Sequence, residues 1–168
     1  MNKIYKDSRQ EKFKIRAGFT LLEIILVISL MSIVVVVGAS YSILGQRTRT
    51  EIDSTTRTIV DILRRSQNNA ITGEGFTTWG VRFDNGSNDF YQMFSGANWT
   101  SGTQYESFTL PAGLVFGAPV EGASIEILFD IRTGKRTSGA NNIIIQSGIN
   151  SALKKTISIS SEGKVSSD

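Results

Sequence analysis

Residues 18–38 read GFTLLEIILVISLMSIVVVVG, and across the twenty residues 19–38 the only formal charge is Glu23. At about 1.5 Å of rise per residue, a helix of that length matches the ~30 Å hydrocarbon core of a bilayer. A segment this apolar has no water to satisfy its amides once it is buried, so a helix, which closes its backbone hydrogen bonds internally, is the expected form. The rest of the chain is then read by what surrounds this helix.

Charge is distributed unevenly around it. The 168 residues hold 18 Lys plus Arg against 15 Asp plus Glu. Six of the basic groups (Lys3, Lys6, Arg9, Lys12, Lys14 and Arg16) precede residue 18, beside only Asp7 and Glu11, so the first 18 residues carry +4 and the other 150 carry −1. The positive-inside rule then places 1–18 in the cytoplasm and everything after about Ser40 outside. A pI of about 9.3 reflects this leader rather than the body of the protein. With no Cys and no His, disulfides, thiolate nucleophiles, imidazole bases and the common zinc sites are excluded.

A secretory signal peptide is the competing reading: a basic start, an apolar stretch at 24–37, and a small-residue site ending at Ala39, which would release a β protein beginning at Ser40. Glu23 argues against it. An ionisable group inside hydrocarbon costs about 2.5 kcal/mol or more and persists where a partner compensates. Helical patterning also continues past Gly38, which a discarded leader would not need.

Gly18-Phe19-Thr20-Leu21-Leu22-Glu23, behind a basic leader and ahead of an unbroken apolar run, resembles the processing signature of type IV prepilins and type II secretion pseudopilins. The resemblance implies that a prepilin peptidase cuts between Gly18 and Phe19 and that the new Phe19 amine is N-methylated. It implies that Glu23 sets subunit register by neutralising the amine of a neighbouring subunit. The implied partners are other pilin or pseudopilin subunits in a hetero-oligomeric filament and an inner-membrane assembly platform. The implied location is single-pass in the cytoplasmic membrane, with the head in the periplasm of a two-membrane cell. Two features depart from the pattern. The leader is longer than the shortest of the family, and many pilins carry a proline in the upper helix, whereas the first here is Pro111. Gly38 and Gly45 are the expected soft points of the helix.

Beyond Gly45, Ile52, Thr55, Ile59, Ile62, Leu63, Ser66 and Ala70 recur at three- and four-residue spacing, while Arg57, Asp61, Arg64, Arg65 and Asn68 face elsewhere. That is an amphipathic helix, expected to end at Gly73 and Gly75. From Thr77 the period becomes two. Trp79, Val81 and Phe83 alternate with polar or small residues, Asp84-Asn85-Gly86-Ser87 reads as a hairpin turn, and a partner strand follows at 90–94. Further strands are expected at 107–110, 114–116, 124–130, 142–146 and 156–160, six or seven in all. The chain thus divides into a cleaved leader (1–18), a transmembrane and filament-core helix (19–38), its amphipathic extension (39–72) and a β head (73–168). This is an α+β fold, with a long N-terminal helix packed on an antiparallel sheet or sandwich, as in pilins. The stretch from Phe129-Asp130-Ile131-Arg132-Thr133-Gly134 to Glu162-Gly163-Lys164-Val165 resembles the closing strands of GspH/FimT-type minor pseudopilins and minor pilins, which implies a minor, tip-proximal subunit.

Candidate chemistry in the head is sparse. Asp84, Asn85, Asn88 and Asp89 around Gly86 offer oxygen ligands for calcium, but they miss the EF-hand spacing, and Asn-Gly is a preferred hairpin turn. Thr133-Gly134-Lys135-Arg136 lacks both the first glycine and the Ser or Thr of a phosphate-binding loop, so it reads as a turn. Glu121, Glu126 and Asp130 are carboxylates with nothing to pair them, so no catalytic residue, metal or cofactor is assigned and the chain is not read as an enzyme. The alternative of DNA binding during uptake, as implied for some FimT-like minor pilins, rests on Arg132, Lys135 and Arg136 at one turn and Lys154 and Lys155 at another, with Trp99 and Tyr105 to stack on bases. The net −1 of residues 19–168 weighs against it, because it offers little counterion release.

Overall fold

The computed structural model describes residues 19–168, and of 37–45 the backbone alone. One helix, α1 (Leu21–Thr72), is followed by a short 3-10 turn (Glu74–Phe76) and, among the described residues, nine strands. These are β1 (Trp79–Asp84), β2 (Phe90–Ser95), β3 (Thr103–Thr109), β4 (Leu114–Ala118), β5 (Ser124–Phe129), β6 (Arg136–Ser138), β7 (Asn142–Ser147), β8 (Lys154–Ile159) and β9 (Val165–Ser167). The chain forms two compact units, Met1–Ser42 and Ile43–Asp168.

In the first unit, the expected leader 1–18, with Gly18 at its end, lies outside the described residues. Every residue from 21 to 36 is exposed. Among the described residues, no helix is long and apolar enough to cross a membrane. The backbone is helical through Gly38 and Gly45.

The second unit is built on the outer part of α1. Ile52, Thr55, Ile59, Ile62, Leu63, Ser66 and Ala70, the expected apolar stripe, are all buried, joined by Thr56 and Val60. The helix ends where the amide of Gly73, at φ +71, turns back to the Ala70 carbonyl at 3.1 Å, a left-handed cap that glycine adopts without steric cost. Two antiparallel sheets share the core with this stripe. One has the order β3-β2-β1-β5-β6, the other β4-β7-β8-β9. Trp79, Val81 and Phe83 of β1 point inward with Ile127 and Phe129 of β5, and meet Phe116, Ile143, Ile145, Ile157 and Ile159 of the second sheet.

The alternation of β1 sends Gly80, Arg82 and Asp84 to the opposite face. There Phe94 and Leu128 are buried outside the main core. Gly80 makes room for them: a Cβ at that position would lie 2.9 Å from Phe94 Cζ and 2.7 Å from the Ile127 carbonyl. A second close approach joins the β5–β6 turn, the β8–β9 turn and α1. Gly163, at φ +82, abuts the Gly134 carbonyl, which also accepts from Gln67 Nε2 at 3.0 Å.

Three sequence expectations need correction. There are nine strands rather than six or seven, because β6 and β9, of three residues each, are too short to show a period. β3 begins four residues earlier than expected, in an exposed stretch (Thr103, Gln104, Tyr105, Glu106) whose alternation is masked by exposure on both faces. The Asn85-Gly86 pair does not form a two-residue hairpin turn, since neither residue has the positive φ such a turn needs. The connection runs from 85 to 89, and Asn85 is buried because its Nδ2 donates to the Phe116 and Pro119 carbonyls at 3.1 and 2.6 Å, tying the two sheets together.

Candidate functional site

The site marked by the sequence is the first turn of α1. Thr20 precedes the helix and caps it: its Oγ1 accepts the Glu23 amide at 3.2 Å, and its carbonyl accepts the Ile24 amide at 3.2 Å. Glu23 therefore occupies the third helical position, where free N–H groups and the helix dipole favour a carboxylate. The Thr-x-x-Glu spacing is legible in the sequence as a capping signal. Phe19, Glu23, Ile24, Val27 and Ile28 line one side of the turn. The Glu23 carboxylate makes no hydrogen bond or ion pair among the described residues, although Phe19 stands one helical turn before it.

The remaining polar side chains of the run are closed on the helix itself. Ser29 Oγ donates to the Ile25 carbonyl at 2.7 Å and Ser32 Oγ to the Ile28 carbonyl at 2.8 Å. From 24 to 36, then, every side-chain hydroxyl is satisfied without water, while the apolar side chains project on all sides. Glu23 alone presents an unsatisfied polar group.

In the head, the basic residues fall into two separate places. Arg132, at φ +66, donates its amide to the Ala70 carbonyl at 2.7 Å and so helps close the end of α1. Lys135 pairs with Glu162 at 2.9 Å. The Arg136 guanidinium is held by Asn141 Oδ1 at 2.7 Å and by the Gly139 and Ser160 carbonyls. Lys154 and Lys155 open β8, with Lys155 3.7 Å from Asp53. Asp53 and Ala70 are seventeen residues apart on α1, about 25 Å along a helix, so the two groups do not form one surface.

Trp99 is committed elsewhere. Its ring lies 4.4 Å from the Arg82 guanidinium carbon, its Nε1 donates to Gln92 Oε1 at 2.9 Å, and its amide donates to Glu126 Oε2 at 3.0 Å. Arg82 in turn pairs with Asp84 at 2.7 Å and Glu126 at 3.2 Å. This clamp pins loop 96–102 over the outer face of the first sheet, and no local pattern foretells it because Arg82, Trp99 and Glu126 are far apart in the chain. Tyr105 stacks on Trp79 with centroids 4.9 Å apart.

The calcium candidates are divided in the same way. Asp84 is taken by Arg82, while Asp89 lies in a cleft with Glu121, Val115 and Gln146. Burial raises the Asp89 carboxyl above its ordinary value; an amide hydrogen bond from Phe116 lowers it, and Glu121 and then Asp84 raise it further. Among the described residues there is no group of three or more metal-ligating side chains. Asp130 accepts from Thr133 Oγ1 at 2.9 Å, apart from Glu126.

The described residues thus comprise one long helix and two antiparallel sheets, of five and four strands. Among solved structures, the chain is similar to the minor pseudopilin EpsH from the type 2 secretion system of Vibrio cholerae, with a TM-score of 0.51 over 70% of this chain and 96% of that one, at 15% sequence identity. The likeness is one of fold. No family model and no curated protein matches the sequence.

Proposed function

We propose that this chain is a pseudopilin-like structural subunit, held in the cytoplasmic membrane by residues 19–38 and assembled through that segment with other pilin-like subunits. The observation that carries the reading is the run from 21 to 36, exposed on every side with both serine hydroxyls closed on their own helix. A helix apolar all round is stable when covered by lipid or by other helices, and not in water. The fold shared with a minor pseudopilin supports the same reading.

In this reading the leader stays in the cytoplasm and the head lies outside, in the periplasm of a two-membrane cell. Prepilin peptidase cuts between Gly18 and Phe19 and methylates Phe19. The Glu23 carboxylate, without a partner among the described residues, meets the Phe19 amine of a neighbouring subunit, so a costly buried charge is relieved only in correct register. The subunit is a GspH/FimT-type minor component of a type II secretion pseudopilus or type IV pilus, working with an inner-membrane assembly platform, and it is not an enzyme. DNA binding is less well supported, because Trp99 is clamped under Arg82 and the basic turns are separated along α1.

Mass spectrometry of the N-terminus of the membrane-bound protein tests this. N-methylated Phe19 is the expected result, and a chain beginning at Ser40 would replace the subunit with a secreted β protein. Gly18→Leu should leave the leader attached, while Glu23→Ala should be inserted and cleaved yet left out of filaments.

A further inference from the structure

The proposed role leaves one charged feature of the head unused. Where α1 passes the start of β8 there is an open cleft of about 230 Å³, rimmed by Arg49, Asp53, Lys154 and Lys155 and floored by Ile52 and Leu153. Arg49 and Asp53 are one helical turn apart and share a face. Asp53 offsets Lys155, 3.7 Å away. Arg49 and Lys154 are exposed and form no ion pair among the described residues. The cleft therefore carries a net +2 within a stretch, 19–168, whose balance is −1, which leaves −3 for everything else in that stretch. The positive potential is local and stands against an acidic remainder.

A cationic rim over an apolar floor suits an amphipathic anion better than a nucleic acid, for which the cleft offers no aromatic ring to stack on a base. Connectivity narrows the source. Arg49 lies eleven residues beyond Gly38, the end of the apolar run, a tether of at most about 40 Å even when fully extended. In the proposed role, the anionic surface that so short a tether keeps at the highest effective concentration is the leaflet itself.

We infer that this cleft docks the phosphate of an anionic phospholipid headgroup and so holds the head against the leaflet in which residues 19–38 are anchored, before the subunit enters a filament. The inference rests on reading that segment as a membrane anchor. Docking in this way sets the orientation of the head relative to the bilayer, and it is released when the subunit leaves the membrane.

The chain has no cysteine, so Ala152→Cys, at an exposed position on the cleft, gives a unique attachment point for a fluorophore. The full chain is reconstituted in vesicles of phosphatidylcholine alone or with phosphatidylglycerol, and quenching by a headgroup-linked quencher is measured. Strong quenching is expected with phosphatidylglycerol. It should fall about fivefold for each basic group neutralised, in Arg49→Gln and Lys154→Gln separately, and should weaken in high salt. Quenching independent of lipid charge, or unchanged in both variants, overturns the headgroup contact. So does displacement by duplex DNA that also binds the chain in phosphatidylcholine vesicles, which would make the cleft a nucleic-acid site. Extraction of the chain from vesicles by alkaline carbonate is scored separately: retention with a remote label overturns the docking alone, whereas loss from the vesicles overturns the anchor and the docking with it.

Discussion

Between 21 and 36 every position of α1 is exposed, while between 52 and 70 the same helix buries a stripe of nine residues against two sheets. Both stretches are rich in aliphatic side chains. They differ in period. The outer part alternates apolar and charged positions at helical spacing and so has one face for a core and one for water, whereas the inner part is apolar in every direction and has no face for water. One helix thus carries two patterns, apolar on every side from 24 to 36 and amphipathic from 52 to 70.

The sharpest way to break this comparison is to truncate a side chain in each part. Leu63→Ala, at a fully buried position, should cost the head about 3 kcal/mol in denaturant unfolding. Ile28→Ala, exposed in the run, should leave that transition within about 0.5 kcal/mol and, in the proposed role, act on assembly instead. A large loss of head stability from Ile28→Ala would mean that the two stretches share a core. Gly163→Ala comes next, at about 2 kcal/mol or more, because a side chain at φ +82 must also displace the Gly134 carbonyl and Gln67. Its melting temperature should fall while secondary structure by circular dichroism stays the same.

Much of this was legible beforehand, and the limit is physical. The stripe from Ile52 to Ala70 was readable because helical spacing is local, and the strand cores were readable because inward positions such as Val81 and Phe83 alternate with outward ones. The clamp of Arg82, Trp99 and Glu126 was not. It joins residues 17 and 44 positions from Arg82, and only the pairing of β1 with β5, which sets Arg82 opposite Glu126, brings them together. Asn85 misled for a related reason: an Asn-Gly pair favours a tight turn locally, but here its amide is spent across the sandwich on the carbonyls of Phe116 in β4 and of Pro119 just after it. At the first turn of α1 the cap is local, since Thr20 Oγ1 accepts the amide of Glu23 three residues on.

Two smaller effects sharpen the picture. Trp99→Ala should destabilise the head by about 1–2 kcal/mol, the loss of a cation–π contact and of a cover for the outer sheet face, with faster amide exchange in β1 and β5. The smallest effect concerns Asp89. Its carboxyl is raised in the folded head above the ordinary 3.8, so the native state holds the proton more tightly than the unfolded one. The stability this adds is fully present below pH 3.8 and is lost as pH rises through the raised value, so Asp89→Asn should be slightly more stable than the parent at neutral pH. An unfolding series across pH 3–7 with both proteins checks the sign; a variant less stable than the parent at neutral pH would reverse it.

The serine hydroxyls at 29 and 32 bear on what the stretch 21–36 can touch. Because each is already bonded to a carbonyl of its own helix, the stretch around them brings no unmet polar demand to whatever touches it. Lipid tails and the sides of other helices are then nearly interchangeable as neighbours. In the role proposed above, such a segment would trade one for the other without breaking a hydrogen bond on the way, and Glu23, the one group that is not indifferent, would decide where the exchange stops.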